Sequence, residues 1–195
     1  MPLVEVVSAD GGDFEVALRA AAFVRQIDRL PLPFKSAPSF LVNAVLGPYM
    51  LEAMRAVDEG LSPETVDEAM LALGMPMGPI ELVDMVGLDV AMAAGKGLAG
   101  VSVEPPQCLV ERFNAAYLGK KSGKGFYGYS TEKAEKRVAG TVPVGLAERL
   151  IAPLLERTRQ LVDAGIVADA GVIFGTGFAP FTAAPLNYMK TRTED

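Results

Sequence analysis

Strand-forming sequence is confined to the first 36 residues of this 195-residue chain, and that confinement decides the fold class. Leu3 to Val7 (LVEVV) is a short, largely β-branched run that reads as a strand. Gly11-Gly12 ends it. Asp13 is placed to cap a helix running to about Arg29, with Glu15 in the first turn and Phe14, Ala17, Ala21, Val24 and Ile27 on one face. Leu30 to Phe34 carries two prolines and fits a short edge strand. Two strands do not make a sheet core. Residues 1–36 therefore read as a β-α-β remnant of something larger, and the rest of the chain must bury its apolar residues helix on helix.

The expectation is a mainly α chain. Ser39 to Glu59 is apolar at helical spacing (Phe40, Leu41, Ala44, Val45, Tyr49, Ala53, Ala56) and stops at Gly60. Ser62-Pro63-Glu64 supplies an N-cap, a first-turn proline and a first-turn acid. That helix ends near Gly74, because Met75-Pro76-Met77-Gly78-Pro79 cannot continue it. Ile80 to about Gly95 is a further helix, interrupted at Gly87, and Val110 to Tyr117 another. A basic glycine-rich turn follows, Gly119-Lys120-Lys121-Ser122-Gly123-Lys124-Gly125-Phe126-Tyr127. Ser130 to Val142 is polar and reads as a linker.

The pattern then recurs. Pro48, Val57-Asp58 and Gly60 are matched at the same spacing by Pro153, Val162-Asp163 and Gly165. Gly74-Met75-Pro76-Met77 is echoed by Gly177-Phe178-Ala179-Pro180-Phe181, and Ile80-Glu81-Leu82 more loosely by Pro185-Leu186-Asn187. This reads as an internal duplication, against chance similarity of two amphipathic hairpins. The expected domains are 1–36, a first helical repeat at 37–130, a linker at 131–143 and a second repeat at 144–195.

Composition excludes several chemistries. There is no histidine and one cysteine, Cys108. No Ser-His-Asp or Cys-His dyad and no imidazole zinc site can form within the chain, and no metal site is expected. A general base must be a carboxylate, Lys or Tyr, or come from another chain. One cysteine forbids an internal disulfide and suits a reducing, cytoplasmic setting. A net charge of −6 disfavours non-specific binding to nucleic acid or anionic membrane. The charge-free stretch Ala170 to Met189 is broken by Gly and Pro and does not read as a membrane span.

Few residues invite chemistry. Glu5 lies within an apolar strand, where a carboxylate needs a partner unless it faces water. Asn43 sits early in an apolar helix, where an amide can bond a carbonyl or thioester oxygen or cap a loop. Lys120, Lys121 and Lys124 alternate with glycines, which suits phosphate. The turn is nevertheless not a P-loop, and no G-x-G-x-x-G follows a strand anywhere. A solvated basic turn is the plain alternative.

Taken together, LVEVV, PSFLVNAVLGPYMLEA, GMPMGPIELVDMVGLDV and GKKSGKGFYGY resemble the C-terminal part of the 3-hydroxyacyl-CoA dehydrogenases, in order and spacing. The second repeat, with GTGFAPFTAAPLNY, resembles the multifunctional fatty-acid oxidation members. The resemblance implies tandem C-terminal helical repeats preceded by a piece of a Rossmann domain. It implies an NAD cofactor, a 3-hydroxyacyl-CoA substrate, and a catalytic His in a His-Phe-Phe-Asn-Pro segment that would precede LVEVV. Glu5 falls on the family's Glu that orients that His, and Asn43 on its active-site Asn near the substrate carbonyl. Lys121 falls on a Lys that reaches the cofactor. Phe174 stands where the multifunctional proteins carry a substrate-side Tyr, and Ser39 where Pro-Gly-Phe is usual. Implied partners are an upstream Rossmann domain and a second copy or a thiolase subunit. The chain alone is expected to be inactive. The rival expectation is a free-standing helical scaffold or dimerisation module without catalysis.

Overall fold

A computed structural model describes residues 3–9, 11–36, 39–97, 104–164, 169–178 and 185. The element order is β1 (Leu3–Ser8), α1 (Phe14–Gln26), β2 (Leu30–Lys35), α2 (Val42–Asp58), α3 (Pro63–Leu73), α4 (Pro79–Val86), α5 (Leu88–Gly97), α6 (Gln107–Asn114), α7 (Leu146–Asp163) and α8 (Asp169–Thr176). A turn of 3-10 helix lies at Lys120–Ser122. The chain is thus mainly helical behind one β-α-β unit, as the strand distribution requires.

Two compact units share the chain. The first takes residues 1–46 and 154–195, the second 47–153. The boundaries fall beside Pro48 in α2 and at Pro153 in α7, the positions where each helix lacks a backbone donor.

In the first unit, β1 and β2 pair in parallel from Leu3↔Leu30 to Ser8↔Lys35, joined by α1. Asp13 caps α1 through Glu15 N at 2.8 Å, as its sequence position predicts. Both faces of β1 are covered, as parallel strands require. Val6 packs with Ala21 and Val24 of α1, while Leu3 lies under α8. Helix α8 approaches so closely that a Cβ on Gly171 would come within 2.5 Å of Leu41, and one on Gly175 within 2.5 Å of Val42. Two glycines one turn apart let the helix settle onto the start of α2.

In the second unit the stop signals act where the sequence places them. Gly60 and Gly74 take φ of 105° and 101°, and Ser62 caps α3 at Thr65 N. Helix α6 starts and ends three residues earlier than its apolar spacing suggests. The Asp58 carboxylate accepts from Gln107 N and Cys108 N, both at 2.7 Å, so a residue 49 positions away supplies the helix's missing N-cap. The stretch after Ser130 has no helix, but it is not slack. Lys136 pairs with Asp67 and Glu81, Gly140 N donates to Thr65 Oγ1 and Arg137 N to Glu64. Residues 186–195, which carry most of the Pro185-Leu186-Asn187 echo, lie outside the described residues, as does Gly165.

Candidate functional site

Glu5 does not face water alone. Its carboxylate accepts from Leu41 N at 2.8 Å through Oε2 and from Val42 N at 3.0 Å through Oε1. These amides are the unpaired donors at the start of α2, so a strand carboxylate closes a helix N-terminus that has no cap of its own. A carboxylate has about four acceptor positions. Two are taken, which leaves one on each oxygen for a further donor.

The chain reaches this point through a bent backbone. Ser39 and Phe40 both lie in the left-handed region, at φ of 68° and 53°. Glycine takes that conformation freely, whereas a side chain makes it unfavourable by roughly 1–2 kcal/mol. The serine in Pro-Ser-Phe therefore occupies a position whose geometry suits glycine.

Asn43 follows on the first turn of α2 and is exposed; among the described residues its amide has no hydrogen-bond partner. Phe174 is 45% exposed on α8, between the two glycines that lie against Leu41 and Val42. Glu5, Asn43 and Phe174 therefore belong to elements that meet at the N-terminus of α2. Lys121 belongs to the second unit. There its ammonium is ion-paired with Asp89, which holds the Asp89 carboxyl below its ordinary range. Among the described residues no cluster of His, Cys, Asp and Glu could hold a metal ion.

The second unit holds a polar network that sequence reasoning missed. Asp67, 1% exposed, accepts from Ile80 N at 2.8 Å, Glu81 N, Tyr127 OH at 2.7 Å and Lys136 Nζ at 2.9 Å. It caps α4, whose own N-cap residue is Gly78. A Cβ on Gly78 would sit 2.1 Å from the Asp67 side chain, so glycine is what admits the carboxylate. Asp84 likewise accepts from Phe126 N and Tyr127 N, each at 2.9 Å, and from Tyr129 OH. Burial pushes both carboxyls above their ordinary range, against the pull of these donors. The network fixes the glycine-rich turn, which carries Lys121, on α3 and α4 and touches none of Glu5, Asn43 and Phe174. The signal was an acid on the apolar side of each helix: Asp67 stands between Val66 and Ala69-Met70.

This combination defines a class: a helical C-terminal domain set behind a β-α-β unit whose strand carboxylate engages the first helix. Residues 40–129 match the family described as 3-hydroxyacyl-CoA dehydrogenase, C-terminal domain, and this segment belongs to that family. Over 98% of its length the chain is 34% identical to the fatty acid oxidation complex subunit alpha of Shewanella loihica, of which it spans 30%. It also resembles the crystal structure of 3-hydroxybutyryl-CoA dehydrogenase from Escherichia coli K12, with a TM-score of 0.62 and 34% identity, over 74% of this chain and 32% of that one. (S)-3-hydroxybutyryl-CoA dehydrogenase from Ralstonia eutropha gives a TM-score of 0.61 and 35% identity, over 67% and 48%. The chain thus spans under half the length of each of these three relatives. Among the described residues no helix is long and apolar enough to cross a membrane.

Proposed function

We propose that this chain is the substrate-side part of an NAD-dependent 3-hydroxyacyl-CoA dehydrogenase of fatty-acid β-oxidation, and that it needs a base supplied by another segment. The observation that carries this reading is the Glu5 carboxylate fixed on the Leu41 and Val42 amides, with Asn43 exposed one residue further on. Glu5 is a positioning residue here. Its two remaining acceptor positions suit an imidazole N–H, and its charge favours the imidazolium formed when that base takes the substrate's hydroxyl proton. Asn43 touches substrate, its amide donating to the carbonyl that forms. Phe174 lines the acyl side without a hydroxyl to offer.

The cofactor's contribution is to accept the hydride when bound. The described residues do not cradle a dinucleotide by themselves: no G-x-G-x-x-G follows β1, and Lys121 is engaged by Asp89. The reading therefore gives NAD to a dinucleotide-binding domain packed on the β-α-β unit. Val16, Phe23 and Ile27 support that partner. They are 48–60% exposed along one side of α1 and its C-cap, an apolar stripe that calls for cover. The second repeat at 144–195, a dimer or thiolase contact and a cytoplasmic setting belong to the same proposal.

The test is a fusion of this chain to the dinucleotide-binding domain of the Escherichia coli 3-hydroxybutyryl-CoA dehydrogenase, assayed with acetoacetyl-CoA and NADH. Glu5→Gln should lower kcat by about 10²–10⁴-fold with little change in KM and should shift the pH profile. Asn43→Ala should lower kcat/KM by about 10–10³-fold. A fusion indifferent to both substitutions would refute the assignment and favour a non-catalytic scaffold.

A further inference from the structure

The three lysines of the glycine-rich turn do not share one fate. Lys120 pairs with Glu132 at 2.7 Å and Lys121 with Asp89, so both charges are answered by carboxylates. Lys124 instead lies 4.2 Å from the centre of the Tyr117 ring and donates to Tyr117 OH at 3.2 Å. Arg112, on α6, stacks 4.2 Å from the centre of the Phe126 ring and donates to Cys108 O at 3.0 Å. Ring faces and a carbonyl hold a cation in place without cancelling its charge, and among the described residues neither cation is ion-paired, although Asp84 lies within electrostatic range of Arg112. Both cations line one cleft of about 380 Å³, together with Glu111, Ala115, Tyr117, Gly125 and Phe126. That volume falls in the range of small-molecule sites, roughly 300–1,000 Å³. Among the described residues the one acid on its wall, Glu111, accepts from the Gln107 side-chain amide at 3.1 Å.

We propose that this cleft binds a phosphate-bearing small molecule, its phosphate held between Arg112 and Lys124. A guanidinium offers paired N–H donors that match phosphate oxygens, and an ammonium adds a mobile point charge. Gly125 on the cleft wall is glycine because a Cβ there would sit 2.1 Å from the Asp84 carboxylate, whose bonds to Phe126 N and Tyr127 N fix this wall. The site lies wholly within the second unit and stands without the dehydrogenase reading. It also gives the basic turn a task that Lys121 alone does not cover.

The probes are inorganic pyrophosphate and adenosine 5′-monophosphate, titrated into the full chain by calorimetry and by tyrosine fluorescence. Saturable binding of either probe is expected, weakened about tenfold or more by Lys124→Gln and again by Arg112→Gln. Tighter binding of the nucleotide would assign part of the cleft to a base; tighter binding of pyrophosphate would assign it to phosphate alone. Arg112→Lys keeps the charge but loses the fork and should bind more weakly than the parent while staying folded by circular dichroism. Lys133→Gln, an equal charge change on an exposed residue outside the cleft, should leave affinity unchanged. Failure of both probes to saturate, or equal loss in Lys133→Gln and Lys124→Gln, would overturn the proposal.

Discussion

Replacing Asp84 by alanine should remove a large share of the chain's stability without touching Glu5, Asn43 or Phe174. Three donors converge on this carboxylate, which is 1% exposed: Phe126 N and Tyr127 N at 2.9 Å and Tyr129 OH at 3.1 Å. The Tyr127 amide bond is buried and the other two are partly so. A buried donor left without a partner is unfavourable by about 1–3 kcal/mol. Counting Tyr127 N in full and Phe126 N in part, with Tyr129 OH free to turn to water, the loss is about 2–5 kcal/mol. Total stabilities of roughly 5–15 kcal/mol make that a large fraction. Asparagine would not repair it, because its amide group must face one of the two backbone donors. Urea unfolding followed by tyrosine fluorescence reads the effect directly, since Tyr127 and Tyr129 are in the network and the chain has no tryptophan. The midpoint should fall with an unchanged slope. A loss under about 0.5 kcal/mol, no larger than that of the exposed Glu132→Ala, would refute the view that Asp84 fixes the glycine-rich turn.

Ser39→Gly should stabilise the chain by about 0.5–1 kcal/mol, because it relieves a side chain at φ 68°; an unchanged or lower melting temperature would contradict the backbone assignment. Tyr49 is fully buried and among the described residues its hydroxyl has no hydrogen-bond partner, so Tyr49→Phe should be neutral or stabilising by up to about 1 kcal/mol, and a clear loss in thermal melting would expose a missed partner. Burial raises the folded Asp84 carboxyl above its unfolded value, so the folded chain takes that proton first. The contribution of this group is full below the unfolded value and declines as pH rises through the folded one, so the stability margin of the parent over Asp84→Asn should shrink as pH rises above the unfolded carboxyl value of about 4 in urea titrations. Glu156, held at about 2 by Arg159, has the opposite sign: its contribution is present above the ordinary value of 4.5 and lost on acidification toward about 2.

Local signals were legible because their causes are local. Asp13, Ser62, Gly60 and Gly74 act through bonds and dihedrals within a few residues, and each does what its position suggests. Helix α6 begins three residues before its apolar spacing because its cap, Asp58, comes from the end of α2, and no window along the sequence contains both. The same separation hid Asp67 and Asp84, whose donors lie 13 to 69 positions away. Spacing alone left Glu5 facing water. Its partners are the amides of Leu41 and Val42, 36 and 37 residues on, which only the folded β-α-β unit and α2 bring to it. Motif order, by contrast, carried the family, because it preserves those long-range pairings without stating them. The lone Lys124 was hidden in a run of three lysines until the carboxylates facing the other two were placed.

The central claim is that this chain holds the acceptor and the substrate-side amide of a dehydrogenase site whose base lies elsewhere. The direct measurement is NADH oxidation with acetoacetyl-CoA by the purified 195-residue chain, alone and then fused to a dinucleotide-binding domain that carries the histidine. The account predicts no turnover by the chain alone and turnover by the fusion that depends on Glu5. Turnover by the chain alone would contradict it, since a chain without histidine would then be supplying the base itself.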